Sequence, residues 1–149
     1  MGSWLLPETL KSVVENHIKR EKELLKMNAK QHKKIEQLAK EIHTFLVKNE
    51  LWIDVHIYFN GKCWSTNSKD GTKFCYNEND YFQYEANPKD YFEYVAEPNI
   101  LSMSFEGSLY EVLNGYWGTK LEAEFSKILE RYGLYYELGN SWNLTCCEI

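Results

Sequence analysis

The chain has 149 residues, 44% of them hydrophobic and 26% charged, which is one domain's worth and enough to bury a core without metal or disulfide staples. Its formal net charge of −5 is unevenly spread: residues 1–50 carry ten Lys/Arg against seven Asp/Glu, and residues 51–149 carry seven against fifteen. A segment as acidic as the second repels a nucleic-acid backbone and attracts basic partners.

The amino end, MGSWLLPETL, has no basic region and no sustained apolar stretch, which argues against a signal peptide there. Met1–Ser3 has the form of a cloning remnant, and Gly2 lacks the Ser or Thr that a myristoylation signal places after it. No later window reaches the roughly 20 apolar residues of a membrane span, so a cytoplasmic protein is expected. Cys63, Cys75, Cys146 and Cys147 form no CxxC pair, and adjacent Cys146 and Cys147 point to opposite faces of a strand. That pattern argues against zinc and against a disulfide framework, and predicts reduced thiols.

Pro7 suits the first turn of a helix, and from there to Glu50 there is no glycine or further proline. Apolar residues recur at Leu10, Val14, Ile18 and Leu25, then at Ile35, Leu38, Ile42 and Phe45 with a 3-4-3 spacing that requires a partner surface. An unbroken helix over this span would be about 60 Å long, so the region is expected to project, to pair with a second copy, or to fold back near Asn28. Core packing and self-association explain the stripe better than a membrane or cofactor role. Residues 1–50 are therefore read as a helical region with dimerisation potential, and residues 51–149 as an acidic, aromatic-rich α+β domain.

At residue 51 the period changes to two. Ile53, Val55, Ile57 and Phe59 alternate with Asp54, His56 and Tyr58, and Asn60-Gly61 follows as a strong hairpin signal with a return through Cys63, Trp64 and Ser65. Asp70-Gly71 marks a second turn, returning through Phe74 to Tyr76. Asp80-Tyr81-Phe82-Gln83-Tyr84, with Ala86 and Pro88, is repeated ten residues later as Asp90-Tyr91-Phe92-Glu93-Tyr94, with Ala96 and Pro98. Two short extended segments, each ended by a proline, are expected. Leu101, Met103 and Phe105 alternate with Ser102 and Ser104. Ser108-x-x-Glu111 and Thr119-x-x-Glu122 read as capping boxes for a short helix ending near Gly115 and a longer one closed by Gly133. Leu121, Phe125, Ile128, Leu129 and Tyr132 form the longer helix's buried stripe. Leu134–Leu138, a Gly139-Asn140 turn and Trp142–Cys146 make a final hairpin. The fold class is α+β: a long helix or helical hairpin, then a mainly antiparallel sheet with one main packing helix and a C-terminal hairpin.

No residue constellation carries recognisable catalysis. Asp54, His56 and Tyr58 share a strand face, but nothing beside them supplies a nucleophile, and a solvated face is the simpler reading. Gly107, Gly115 and Gly118 are spaced for helix ends, not for a phosphate loop. His17, His32 and His43 share no ligand-bearing face and read as surface residues. No cofactor and no metal is expected.

One segment stands out. Glu78, Asp80, Glu85, Asp90, Glu93 and Glu97 interleave with Tyr81, Tyr84, Tyr91 and Tyr94, opposed only by Lys89. In a strand, Tyr81 and Gln83 would face one way and Phe82 and Tyr84 the other, with the second copy repeating this. Tyrosine gives contact area at low entropic cost, and spaced carboxylates attract an arginine-rich groove that normally holds nucleic acid. The expected partner-binding residues are Glu78, Asp80, Tyr81, Tyr84, Glu85, Asp90, Tyr91, Glu93 and Tyr94.

The stretches YFEYVAEPNILSMSFEGSLYEVLNGY and YGLYYELGNSWNLT, within residues 91–145, resemble small proteins of phages, prophages and mobile elements of low-GC Gram-positive bacteria. Such proteins often inhibit host defence, and anti-CRISPR proteins are the best known class. That class shares no fold and no motif, so the resemblance assigns no residue. It implies a non-enzymatic inhibitor in the bacterial host's cytoplasm that occludes a basic nucleic-acid-binding site on a protein partner. The alternatives are an immunity or antitoxin-like protein that plugs a toxin, and a small enzyme using Asp54, His56 and Glu106 or Glu137. A nucleic-acid binder built on the lysine-rich helix is disfavoured by the small basic excess there.

Overall fold

The computed structural model describes the backbone of residues 7–149, and the side chains of that span other than residues 7, 8 and 23–27. Met1–Ser3 and the Leu25 side chain lie outside the described residues. The architecture is α+β, with a six-stranded antiparallel sheet of order β3-β2-β1-β4-β6-β5. The strands are β1 (Val55–Phe59), β2 (Lys62–Ser65), β3 (Phe82–Glu85), β4 (Ser102–Phe105), β5 (Leu134–Leu138) and β6 (Asn143–Glu148). The helices are α1 (Pro7–Lys48), α2 (Ser108–Leu113) and α3 (Lys120–Glu130), with a 3-10 turn at Pro88–Asp90.

The chain divides into two compact units, the first ending at Lys34 and the second spanning Ile35–Ile149. Helix α1 is unbroken over Pro7–Lys48, so no hairpin forms near Asn28. In the first unit Leu10, Val13, Val14 and Ile18 are exposed. In the second, Ile35, Leu38, Ile42 and Phe45 are buried against the sheet, with Phe45 and Phe125 ring centroids 6.2 Å apart. The 3-4-3 stripe therefore finds its partner within its own unit, and these four residues are not a dimerisation surface.

The rest of the main core follows from alternation. Val55, Ile57 and Phe59 on β1, Met103 and Phe105 on β4, and Leu144 and Cys146 on β6 all point to the face that Ile35–Leu46, α2 and α3 cover. Each large aliphatic buried there contributes about 1.5–3 kcal/mol by transfer from water. Asn60 and Gly61 both take positive φ, 49° and 76°, the two-residue turn that closes β1 onto β2 with Phe59 opposite Lys62. Strand β1 starts later than alternation predicts. Leu51 and Trp52 are both fully buried, and Asp54 sits at φ 52°, a left-handed conformation that no strand continues through.

Neither expected capping box forms. Gly107, not Ser108, is the N-cap of α2, and Thr119 caps α3 without a side-chain hydrogen bond. Their glutamates are used elsewhere: Glu111 accepts from the Trp117 indole, and Glu122 from Ser126 and Tyr136 hydroxyls. Gly107 is fixed by close approach, since a Cβ there would lie 2.5 Å from the Ile53 carbonyl oxygen.

The opposite sheet face is also covered. Tyr58, Cys63 and Phe92 form a second buried cluster, flanked by Tyr84, Ala86, Val95 and Trp142. Its cover is the coil from Ala86 to Asn99, which crosses the sheet as a strap. Polar ladder residues hold the strap down: Ala96 N donates to Thr145 Oγ1 at 3.0 Å, Thr145 and Ser102 hydroxyls lie 3.0 Å apart, and Ser102 donates to Asn99 at 2.6 Å. Ser102 and Thr145 are fully buried, so each bond satisfies a group that water cannot reach.

Candidate functional site

The acidic, tyrosine-rich stretch is built differently from the two strands that the repeat predicts. The first copy supplies β3, an edge strand paired with β2 from Lys62↔Glu85 to Ser65↔Phe82. The second copy is not a strand. Asn87 accepts from Lys89 N at 3.0 Å and caps the 3-10 turn at Pro88, after which the chain leaves the sheet edge as the strap. The expected second ladder of tyrosine and carboxylate is therefore absent.

The first copy is pinned from beneath. The Tyr81 ring stacks on Trp64 at 4.2 Å, and the Trp64 indole donates to Gln83 at 2.8 Å. The Trp52 indole donates to the Asp80 carbonyl at 3.2 Å, while Asn77 and Trp52 exchange two hydrogen bonds. His43 stands under the same segment, edge-on to Trp52 at 4.7 Å and to Tyr81 at 5.4 Å. It is only 7% exposed, which corrects the surface reading, and its Nε2 has no hydrogen-bond partner. Burial holds its pKa below the usual histidine value, partly opposed by the carbonyls of Asp80 and Glu78.

The expected partner-binding residues are mostly at the surface. Glu78, Asp80, Glu85, Asp90 and Glu93 are exposed, as are Tyr81, Tyr91 and Tyr94. Tyr84 is half-buried against Cys63, and that burial raises both hydroxyl and thiol, the thiol to about 12. Among the described residues only Glu97 of this stretch pairs with a cation, Lys89. Phe92 is only 5% exposed, edge-on to Tyr58 at 5.8 Å and to Trp142 at 6.1 Å, so it anchors the strap that carries Asp90, Tyr91, Glu93 and Tyr94. Tyr94 and Tyr135 both donate to Glu137, which lowers that carboxyl and lifts the Tyr94 hydroxyl to about 12. Phe92, Trp64 and Trp52 are the supporting residues that sequence reading missed. Phe82 and Phe92 share the Asp-Tyr-Phe context, and what separates them is the Asn87-capped turn at Pro88 before the second copy and the partner that each reaches.

The Asp54–His56–Tyr58 set is not a solvated face. Tyr58 is buried under Phe92 and Tyr91, and His56 is half-buried alongside it with ring centroids 6.1 Å apart. Burial holds the His56 pKa down against the opposing charge of Asp54. Asp54 Oδ1 accepts from the Tyr76 hydroxyl at 2.6 Å, so its carboxylate already has a partner. Glu106 is exposed, and its backbone N–H donates to the Asp54 carbonyl. Nothing in this arrangement presents a base to an activated nucleophile.

His17 is exposed and pairs with Glu21 at 2.9 Å. The four cysteines are free thiols. Among the described residues no group of three His, Cys, Asp or Glu is arranged to hold a metal ion, and no helix is long and apolar enough to cross a membrane. No protein-family model matches the chain, and no match to it is found among curated proteins or among solved structures.

Proposed function

We propose that this chain is a non-enzymatic binding protein whose acidic, tyrosine-bearing β3 edge and strap occlude a basic, nucleic-acid-handling site on a protein partner, as a phage-encoded anti-CRISPR inhibitor would. The observation that carries the reading is the exposure of five carboxylates, Glu78, Asp80, Glu85, Asp90 and Glu93, beside Tyr81, Tyr91 and Tyr94. None of the five has a cationic partner among the described residues. An arginine-rich site would therefore find free acceptors held on a supported scaffold, with aromatic area between them. Support from beneath by Trp64, Trp52 and Phe92 fixes these groups before binding, which lowers the entropy lost on association. The test is capture of partners from bacterial host lysate by the tagged chain and by an Asp80→Lys, Asp90→Lys, Glu93→Lys variant. Stoichiometric recovery of a nucleic-acid enzyme by the parent chain alone is the expected outcome. Equal recovery by the variant would remove this surface from the reading.

A further inference from the structure

The turn between α2 and α3 carries two aromatic side chains that the core does not use: Tyr116 is 71% exposed and Trp117 is 48% exposed. The backbone explains how they are placed. Asn114 ends α2 and Gly115 takes φ 85°; Tyr116 N donates to the Glu111 carbonyl at 2.9 Å and Gly115 N to the Val112 carbonyl at 3.3 Å. Those two bonds are the Schellman closure of a helix, which requires a left-handed residue where glycine stands. Asn114 Nδ2 also donates to the Tyr110 carbonyl at 2.8 Å and to the Ser141 carbonyl at 2.7 Å, tying the turn to the β5–β6 hairpin.

This closure folds Tyr116 back beside Tyr110, the rings 20° from parallel and their centroids 6.5 Å apart. The Trp117 indole donates to Glu111 Oε2 at 2.8 Å, which fixes that ring next to a carboxylate. Tyr110, Glu111, Tyr116 and Trp117 line one concavity of about 390 Å³. A Schellman closure commonly lays its following residue on the helix, so the Tyr110–Tyr116 contact has a structural use. That use does not account for a ring left so exposed, nor for a third aromatic locked to a glutamate. Three aromatic rings and one carboxylate are the chemistry of an organic cation: the ring faces attract positive charge and the carboxylate supplies the counter-charge.

We infer that Tyr110, Glu111, Tyr116 and Trp117 form a recognition site for an organic cation, a guanidinium or a methylated ammonium. The site is separate from the β3 edge and strap, and its test needs no partner from that reading. The full chain is titrated with N-acetylarginine amide and N-acetyl-trimethyllysine amide while the Trp117 indole N–H is followed by NMR. N-acetylcitrulline amide is the neutral control, and choline is the small-molecule arm. A saturable shift with at least one cationic amide, and binding at least about ten-fold weaker for citrulline, is expected. Glu111→Gln keeps an acceptor for the indole and removes the charge, and Tyr116→Ala removes a ring the core does not need. Each should weaken the cation by at least about ten-fold while leaving the remaining amide spectrum unchanged. Citrulline binding as tightly as arginine, affinities unchanged in both variants, or no saturable shift would overturn the site. Choline binding tighter than both amides would assign the site to a small quaternary ammonium, and an amide binding tighter than choline to a side-chain cation.

Discussion

The two copies of the Asp-Tyr-Phe repeat share their spacing and nearly their composition, yet one is a strand and the other is a strap. The first reaches the open edge of β2 and pairs there, leaving Phe82 half-buried and Tyr81 stacked on Trp64. The second follows a capped 3-10 turn at Pro88, and its phenylalanine drives into the opposite sheet face between Tyr58 and Trp142. The Asp-Tyr-Phe core has the same propensity in both; the capped turn before the second copy and the partner that each reaches separate them. In this molecule the copy that pairs with the open edge of β2 is extended, and the other closes the core.

The comparison is broken most strongly at the phenylalanines. Phe92→Ala should lower unfolding free energy by about 3 kcal/mol and Phe82→Ala by only about 1 kcal/mol, because one is buried and the other half-exposed. Urea denaturation of the two variants checks this, and equal losses would mean that the copies carry equal loads. Next in size is the tether specific to the second copy. Thr145→Val removes the acceptor of the Ala96 N–H and the partner of Ser102, at a cost of about 2 kcal/mol. Faster amide exchange over residues 90–98, with β3 unchanged, would localise the loss to the strap.

A smaller effect distinguishes what lies beneath each copy as pH changes. Burial holds His43, under the first copy, and His56, beside the strap, below the ordinary 6.5. Their unfolded forms bind protons more readily than their folded forms, so their stabilisation is fully present above 6.5 and is lost as pH falls through that value. Urea midpoints should therefore fall between about pH 7.5 and about pH 5.5, before carboxylates such as Glu36 and Glu137, held below 4.5, begin to matter. His43→Gln should flatten part of that slope; an unaltered slope would assign it to His56. The smallest effect expected is that of Asp90→Asn with Glu93→Gln, within about 0.5 kcal/mol of the parent, because these exposed carboxylates lack ion-pair partners. A larger loss would make the strap's acids structural.

Much of the scaffold was legible in the sequence because it is set by local rules. Asn60-Gly61 specifies its turn through positive φ at both residues, and the alternation of Leu101, Met103 and Phe105 needs only a period of two. The α3 stripe and the final hairpin were readable for the same reason. What was not legible depended on distant partners. His43 reads as a surface histidine until Trp52 and Tyr81 close over it. Asp54 looks like a strand residue, whereas it takes a left-handed step after the buried Leu51 and Trp52. The candidate surface was legible in its charges and tyrosines but not in its support, because Phe92 and Phe82 stand in the same Asp-Tyr-Phe-x-Tyr pattern and Pro88 reads as the end of the first copy. Gly115 was readable as a helix end, whereas the rings that it folds together were not.

The four free thiols make the molecule a clock for its own opening. Cys146 lies in the main core, Cys63 under the strap, and Cys75 beneath the segment pinned by Trp52, with burial raising each thiol above its usual pKa. Half-buried Cys147 shares a strand with the first of these. A thiolate-directed alkylating reagent therefore modifies each of the buried three only when its own cover lifts. Peptide masses read over time would rank the opening of strap, edge and core in the native chain, with no cysteine introduced.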